Sequence, residues 1–452
     1  MSIFPQVYAS VIATLGALAM GIIIGWSSPA EEMLEKGKFD LPFKVTVSDT
    51  QLYGSMFGVG AAFGALPAGY IGKLLGRCLS MAVFEMFLVF GWICLTFPKG
   101  VWMLIAGRVL LGIGVGALCA VIPSYVGEIS QPHVRGSLGS MFQVLVVTGI
   151  LYSYSLGAVL KYQLFNFSCG IWSVIHMIGV AFIPESPYYY LNKNKVEKAE
   201  QSLKRLRSAN ENTSVELVEL KKIIDEHNAV KHSFLQVMSN KANRKALLIG
   251  MGCMFFQQCS GVNMVVFYMK DIFDSTGSKI SSNTSSIIVG FVQLFMTLVT
   301  MAIADKVGRR ILLIGSGLLM GFSYLVMALY YKVYQNSASA VANYHWVPLV
   351  AIALYVSAFS LGFGPIPWVV MGEIFSNEVK PYGTSIATFT NWFLVFCVTY
   401  MSHELKKWVG NAGTFFTFSM FCFAGALFAI LMVPETKSRT LAEIQAQLTG
   451  DT

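Results

Sequence analysis

Twelve stretches of this 452-residue chain are apolar for about the length of a bilayer crossing, and that pattern leaves one class of fold open. A helix needs roughly 20 predominantly apolar residues to cross the hydrocarbon core. Runs of that kind fall near 6–27, 52–72, 79–97, 103–125, 137–160, 165–183, 246–268, 284–304, 311–332, 347–371, 382–402 and 412–433. With 55% apolar and only 12% charged residues, the chain lacks the polar surface an ordinary soluble domain needs. The reading is an all-α membrane protein with twelve transmembrane helices. The first run is too long for a signal-peptide core and has no small-residue cleavage site, so it is taken as the first span.

An even number of spans puts both ends on one side, and the basic residues say which. Twenty-one of the 32 Lys and Arg fall in the termini and loops of that side, ten on the other, and Arg108 lies within a span. Basic loops favour the cytoplasm, so both termini are expected there. The net charge of +8 then reflects topology, and nucleic acid is not an expected partner. The eight cysteines are scattered with no Cys-x-x-Cys pair, which points to small packing residues and neither a disulfide framework nor a metal site.

The hydrophobic pattern breaks between about Pro184 and Lys245, six spans to each side. The expected organisation is an N-terminal six-helix bundle over 1–183, a cytoplasmic linker over 184–245, a C-terminal bundle over 246–433 and a cytoplasmic tail over 434–452. In the linker, Asn194-x-x-Glu197 and Thr213-x-x-Glu216 have the form of capping boxes. Val196, Ala199, Leu203 and Leu206, and less regularly Val215, Val218 and Ile223, recur at helical spacing. Short amphipathic helices are expected there, with a disordered charged linker as the alternative. Gly127-Glu128-Ile129 returns as Gly372-Glu373-Ile374, and Leu75-Gly76-Arg77 as Val307-Gly308-Arg309. Two echoes in the same order suggest parallel halves with a site between them near the midplane.

The chemistry is carried by amides. Gln257, Gln258 and Asn263 interrupt an apolar run, and Gly261 between them can loosen the helix. Carboxamides are costly in lipid unless bonded, so they tend to face a cavity. Each offers donors and an acceptor, which suits a neutral, hydroxyl-rich solute. Gly364-Pro365-Ile366-Pro367 must break the tenth span. Gly112-x-Gly114-x-Gly116 is preceded by no strand and lies in a span, so it reads as helix contact, as do Gly54, Gly58 and Gly64.

Taken with Gly107-Arg108, Arg135-Gly136, Pro184-Glu185-Ser186-Pro187, Asp305-Lys306-Val307-Gly308-Arg309-Arg310, Gly364-Pro365-Ile366-Pro367-Trp368 and Pro434-Glu435-Thr436-Lys437, the chain resembles the sugar porter family of the major facilitator superfamily nearly end to end. Trp26-Ser27-Ser28-Pro29 and Phe359-Ser360-Leu361-Gly362-Phe363-Gly364 are similar to the insect facilitated trehalose transporters and animal facilitative glucose carriers. The resemblance implies two pseudo-symmetric six-helix bundles and a sugar site made of Gln143, Gln257, Gln258, Asn263, Gln293, Trp368, Asn391 and Trp392. It also implies a cytoplasmic gate of Arg77, Glu128, Arg135, Glu185, Asp305, Arg309, Arg310, Glu373, Lys380 and Glu435, pairing across the two halves when the inside is closed. Within it, Glu128 and Arg135 would bridge to the Glu185 segment. Ser360 stands where many glucose carriers have an acid, which bears on hydroxyl pairing. Lys73, Leu74 and Cys78 replace the counterparts of Asp305, Lys306 and Arg310, and Tyr188 replaces an arginine, so the N-terminal side of the gate is expected to be the weaker.

Proton-driven relatives carry an acid in the first span, whereas residues 6–30 hold no Asp or Glu. Glu85 lies inside the lipid zone, either pairing with a neighbouring span or carrying a proton. The expected function is facilitated uniport of a hexose or trehalose across the plasma membrane by a monomer, without cofactor. Proton-coupled symport is the first alternative. A non-transporting sugar sensor is the second, although only 18 residues follow Pro434 to carry a signal. No nucleophile, base and orienting group converge, so an enzyme is not expected. Asn166-Phe-Ser168 and Asn283-Thr-Ser285 are glycosylation sequons on the expected outer face.

Overall fold

A computed structural model describes residues 3–35, 43–207, 213–229, 234–277, 280–376, 378–437, 439 and 441–449. Helices account for nearly all of it. The first half comprises α1 (Phe4–Glu35), α2 (Val47–Leu75), α3 (Arg77–Thr96), α4 (Val101–Ile129), α5 (Pro132–Gly157) and α6 (Tyr162–Val180). Four short helices follow, α7 (Pro187–Asn192), α8 (Val196–Leu206), α9 (Thr213–Ala229) and α10 (Phe234–Ser239). The second half holds α11 (Lys241–Cys259), α12 (Val262–Phe267), α13 (Met269–Asp274), α14 (Ser282–Val307), α15 (Arg309–Asn336), α16 (Val347–Leu361), α17 (Ile366–Ile374) and α18 (Lys380–Leu431), with α19 (Leu441–Thr449) behind it.

Nine helical stretches among the described residues are long and apolar enough to span a membrane. The last of them folds back at Gly410, whose φ of 69° is a turn inside α18, and so contributes two crossings. With α2 and the broken run α11–α13 the crossings number twelve, in two bundles of six. Large apolar side chains such as Phe63, Phe322 and Leu329 are exposed on the outside, as lipid-facing residues must be. The helix starts follow local chemistry. Thr46 and Asp49 form a capping box at α2, and Ser281 accepts the Thr284 N–H at α14.

Close backbone approach comes from small residues. A Cβ on Gly116 would strike the carbonyl of Ala61, so α4 and α2 pack nearly backbone to backbone. The linker is helical and docked. Ala199, Leu203, Leu217 and Ile224 form a small core of their own, and Arg207 bonds both Glu216, at 2.6 Å, and the Ile129 carbonyl at the end of α4. Two linker expectations fail. Asn194 caps nothing: it sits at φ 54° and α8 begins after Lys195. Val215, Val218 and Ile223 are exposed, and the buried face of α9 is set by Leu217 and Ile224 instead. Glu216 is drawn to Arg207 rather than to a cap.

Candidate functional site

The seventh and tenth spans are both broken at the level where the amides lie. Gly261 takes φ 81°, a left-handed turn between α11 and α12, which swings Asn263 back toward Gln258. Residues 362–365 separate α16 from α17, as the Gly-Pro sequence requires. The freed carbonyls of Phe363 and Gly364 accept from Gln257 Nε2 at 2.8 and 2.7 Å. Gln257 Oε1 in turn accepts from Asn391 Nδ2 at 2.7 Å, and Asn391 Oδ1 accepts from Gln258 Nε2 at 3.2 Å. A chain of amides thus links the seventh and eleventh spans to the break in the tenth, and buried amides bonded in this way hold their geometry.

All eight expected sugar-site residues, Gln143, Gln257, Gln258, Asn263, Gln293, Trp368, Asn391 and Trp392, line one cavity of about 1480 Å³. It exceeds the ~300–1,000 Å³ of a typical small-molecule pocket because it opens between the halves at the linker face. Trp392 lies edge-on to Phe57, and its indole Nε1 is buried without a partner. Thr297 and Thr300 also line the cavity, four and seven residues after Gln293. That polar spacing on one helix face is a signal the sequence carries. Thr388, one turn before Asn391, is a further addition. Ser360 does not line the cavity; its carbonyl accepts from Thr300 behind the wall.

On the face opposite the linker the halves are sealed. Gln51 donates to the Tyr400 carbonyl at 2.9 Å, Lys270 pairs with Glu32 at 3.0 Å, and Tyr154 donates to the Val266 carbonyl at 2.8 Å. A Cβ on Gly58 would meet the backbone of Phe396, so α2 and α18 are in backbone contact there. Phe57, Phe267 and Trp392 stack edge to face below the seal.

The charged gate residues assemble as two copies of one motif. Glu185 accepts the N–H groups of Arg77 and Cys78, while Arg77 pairs with Glu128 at 2.7 Å and Ser186 donates to Glu128. Correspondingly, Glu435 accepts from Arg309 and Arg310, Arg309 pairs with Glu373 at 2.9 Å, and Thr436 donates to Glu373. Cys78 costs the first copy little here, since Glu185 reads backbone and not the missing guanidinium. Among the described residues these ion pairs lie within each half. Arg77, Arg135, Arg309 and Lys380 instead border the open cavity, so pairing across the halves is not the state seen. Arg135 departs from expectation by donating to the Ser130 carbonyl, and Lys380 reaches the Gly372 carbonyl at 3.4 Å. The Asp305 side chain lies outside the described residues. Burial pushes the Glu185 carboxyl above its ordinary range despite the N–H groups of Ser186, Arg77 and Cys78. At Glu435 burial is outweighed by the N–H groups of Lys437, Arg309, Arg310 and Thr436, which hold it lower. Falling pH on this face therefore protonates Glu185 before Glu435.

Glu85 does not reach the cavity; it is sealed against His176 Nδ1 of α6 at 2.6 Å, the pairing with a neighbouring span. Asn166 cannot carry a glycan in this fold. Its side chain is fully buried, accepting from Trp26 Nε1 at 2.6 Å and donating to the Leu95 carbonyl at 3.1 Å. The sequon lies inside α6, turned to the bundle interior and not to the expected outer face. Asn283 is half-buried in the first turn of α14.

Residues 9–448 match the family described as sugar (and other) transporters. The facilitated trehalose transporter Tret1 of Polypedilum vanderplanki is 32% identical over 99% of this chain and 89% of its own length. The solute carrier family 2 facilitated glucose transporter member 8 of Mus musculus is 34% identical over 98% of this chain and 94% of its own. The partially occluded inward-open xylose transporter XylE from E. coli superposes with a TM-score of 0.79 at 23% identity, covering 96% of this chain and 99% of that one. The amide-lined cavity and the twice-repeated charged motif are thus features of a chain that belongs to the sugar transporter family.

Proposed function

We propose that this protein carries a neutral sugar, a hexose or trehalose, down its gradient by alternating access, with the linker face in the cytoplasm and the present state open inward. The observation that carries the reading is the convergence of amides and indoles from five spans on one cavity. Amides make paired bonds to vicinal hydroxyls, and an indole covers the C–H face of a pyranose ring. A site built to bond hydroxyls rejects analogues lacking them, because its own groups would be left unpaired. One chain holds the whole cavity, which supports a monomer as the working unit. The basic linker face supports both termini in the cytoplasm, which leaves Asn283 as the acceptor for any glycan.

The test is flux into liposomes loaded with the purified protein, using labelled glucose and labelled trehalose, with and without a proton gradient. Equilibration of at least one sugar, without accumulation when a gradient is imposed, is expected. Gln258→Leu together with Asn263→Leu should cut that flux at least about tenfold, since each lost bond to a hydroxyl is worth ~0.5–1.5 kcal/mol and the partners left behind cost more. Unchanged flux and unchanged competition by unlabelled sugar in this variant would remove the basis of the proposal.

A further inference from the structure

The first span runs past the point where hydropathy ends it. Continuing the helix to Glu35 carries Glu31 into the seam between the halves, where the carboxyl is 7% exposed. Its Oε1 is buried without a hydrogen-bond partner. The Tyr268 hydroxyl, from the other half, is likewise buried and unpartnered. The two atoms lie 3.5 and 3.4 Å from the place a Cβ on Gly54 would occupy, so the missing side chain at Gly54 brings them to one small chamber. The fully buried Tyr53 of α2 faces the same carboxyl.

Among the described residues no ion pair compensates Glu31. Arg108 of α4 lies nearby, but its guanidinium donates to the Ile23 carbonyl, Ser27 Oγ and the Gly54 carbonyl and is ringed by Trp26, Phe57 and Phe267. From α1 itself, Glu32 is engaged by Lys270 and Glu35 is exposed. From α13, Asp271 adds negative charge and is paired with Lys406 of α18 at 2.9 Å. His403 of α18 packs edge-on against the Tyr268 ring, with centroids 4.6 Å apart. An ionised carboxyl sealed in this way carries a heavy desolvation cost that a proton removes.

The chamber is shut off from the inward cavity and lies nearer the opposite face. Glu31, Tyr53 and Tyr268 are absent from the lining of the inward cavity, and Phe57, Phe267 and Trp392 lie between. Tyr268, with Asp271, His403 and Lys406, borders a small pocket on the opposite face.

We propose that Glu31 is a proton-binding site of the outer gate, filled and emptied from the outer solution alone. The proton is taken up as the gate closes over the carboxyl and returns to the same side when the gate opens. Nothing is carried across, so the site couples no gradient to sugar movement; external acidity simply favours the outward-closed state. Loss of the proton restores a buried, unpaired charge beside Tyr268 and promotes separation of the halves.

The inference rests on the alternating-access reading, and the experiment keeps the two apart. Sugar equilibration at neutral pH tests that reading. Spin labels across the outer seam, in liposomes with each side buffered independently, test this one. Taking the outer pH from about 8 to about 5, a range in which a buried carboxyl titrates, should raise the outward-closed population by up to about tenfold for each unit by which the two states differ in proton affinity. The same change inside should have no effect. Glu31→Gln should stay closed at both outer pH values and still equilibrate sugar, while His403→Gln should keep the wild-type response. A wild-type seam indifferent to outer pH, a response to inner pH, proton-driven sugar accumulation, or transfer of the effect to His403 would each overturn the proposal.

Discussion

At the scale of single residues, side chains of the same type divide sharply by environment. Gln257 is bonded at both ends of its amide, to the Phe363 and Gly364 carbonyls and to Asn391, so it fixes the wall of the cavity. Trp392 lines that wall with its ring, while its indole N–H is buried without a partner. Asn166 shows the opposite outcome for a residue that reads as a surface acceptor. Asn166→Leu is expected to leave electrophoretic mobility unchanged with and without glycosidase. It should also lower thermal stability by about 1–3 kcal/mol, because the Trp26 N–H loses its acceptor in a dry interior. A glycan-dependent mobility shift on removing Asn166 would contradict its position between α1, α3 and α6. Gln257, Gln258 and Asn263 were readable as polar interruptions of an apolar run, and the other five cavity residues only through the family resemblance; Glu31 was readable by neither route, because its burial depends on where a helix stops.

At the scale of elements, the breaks matter more than the helices. The turn at Gly261 and the gap at 362–365 face one another, joined by the Gln257 amide. Gly261→Ala forces a Cβ into the left-handed region, at about 1–2 kcal/mol of backbone strain, and toward the Phe418 ring 2.9 Å away. The expected result is a lower melting temperature together with weaker sugar binding, since Asn263 loses its approach to Gln258. Binding unchanged beside lowered stability would mean that the turn is structural only. The Gly-Pro break was evident in the sequence because proline cannot continue a helix. The partner that satisfies its freed carbonyls was not, since it comes from over a hundred residues away.

At the scale of the whole molecule, two bundles meet along a seam that is closed on one face and parted on the other. The seal is built from backbone proximity at Gly58 and Phe396 and from bonds such as Gln51 to Tyr400. Gly58→Val should prevent that approach and hold the sealed face apart. Distance measurements between labels on α2 and α18 should lengthen, and net flux should fall at least about tenfold, since a shift of ~1.4 kcal/mol between states already changes their ratio by that factor. Distances matching the wild type would show that the seam tolerates the added bulk.

The sequence by itself determined the class of fold, the twelve crossings, the duplicated charged motif and the amides of the seventh span. Each follows from local rules: lipid penalises unbonded polar groups, proline breaks helices, and a repeated motif keeps its residues in order. Only the tertiary structure decided that the gate residues pair within their own halves, that Arg135 turns to Ser130, that Asn166 is interior and that Glu31 is sealed beside Tyr268. Those facts depend on how two bundles lean against one another, and residues distant in sequence acquire their surroundings only when the packing is complete.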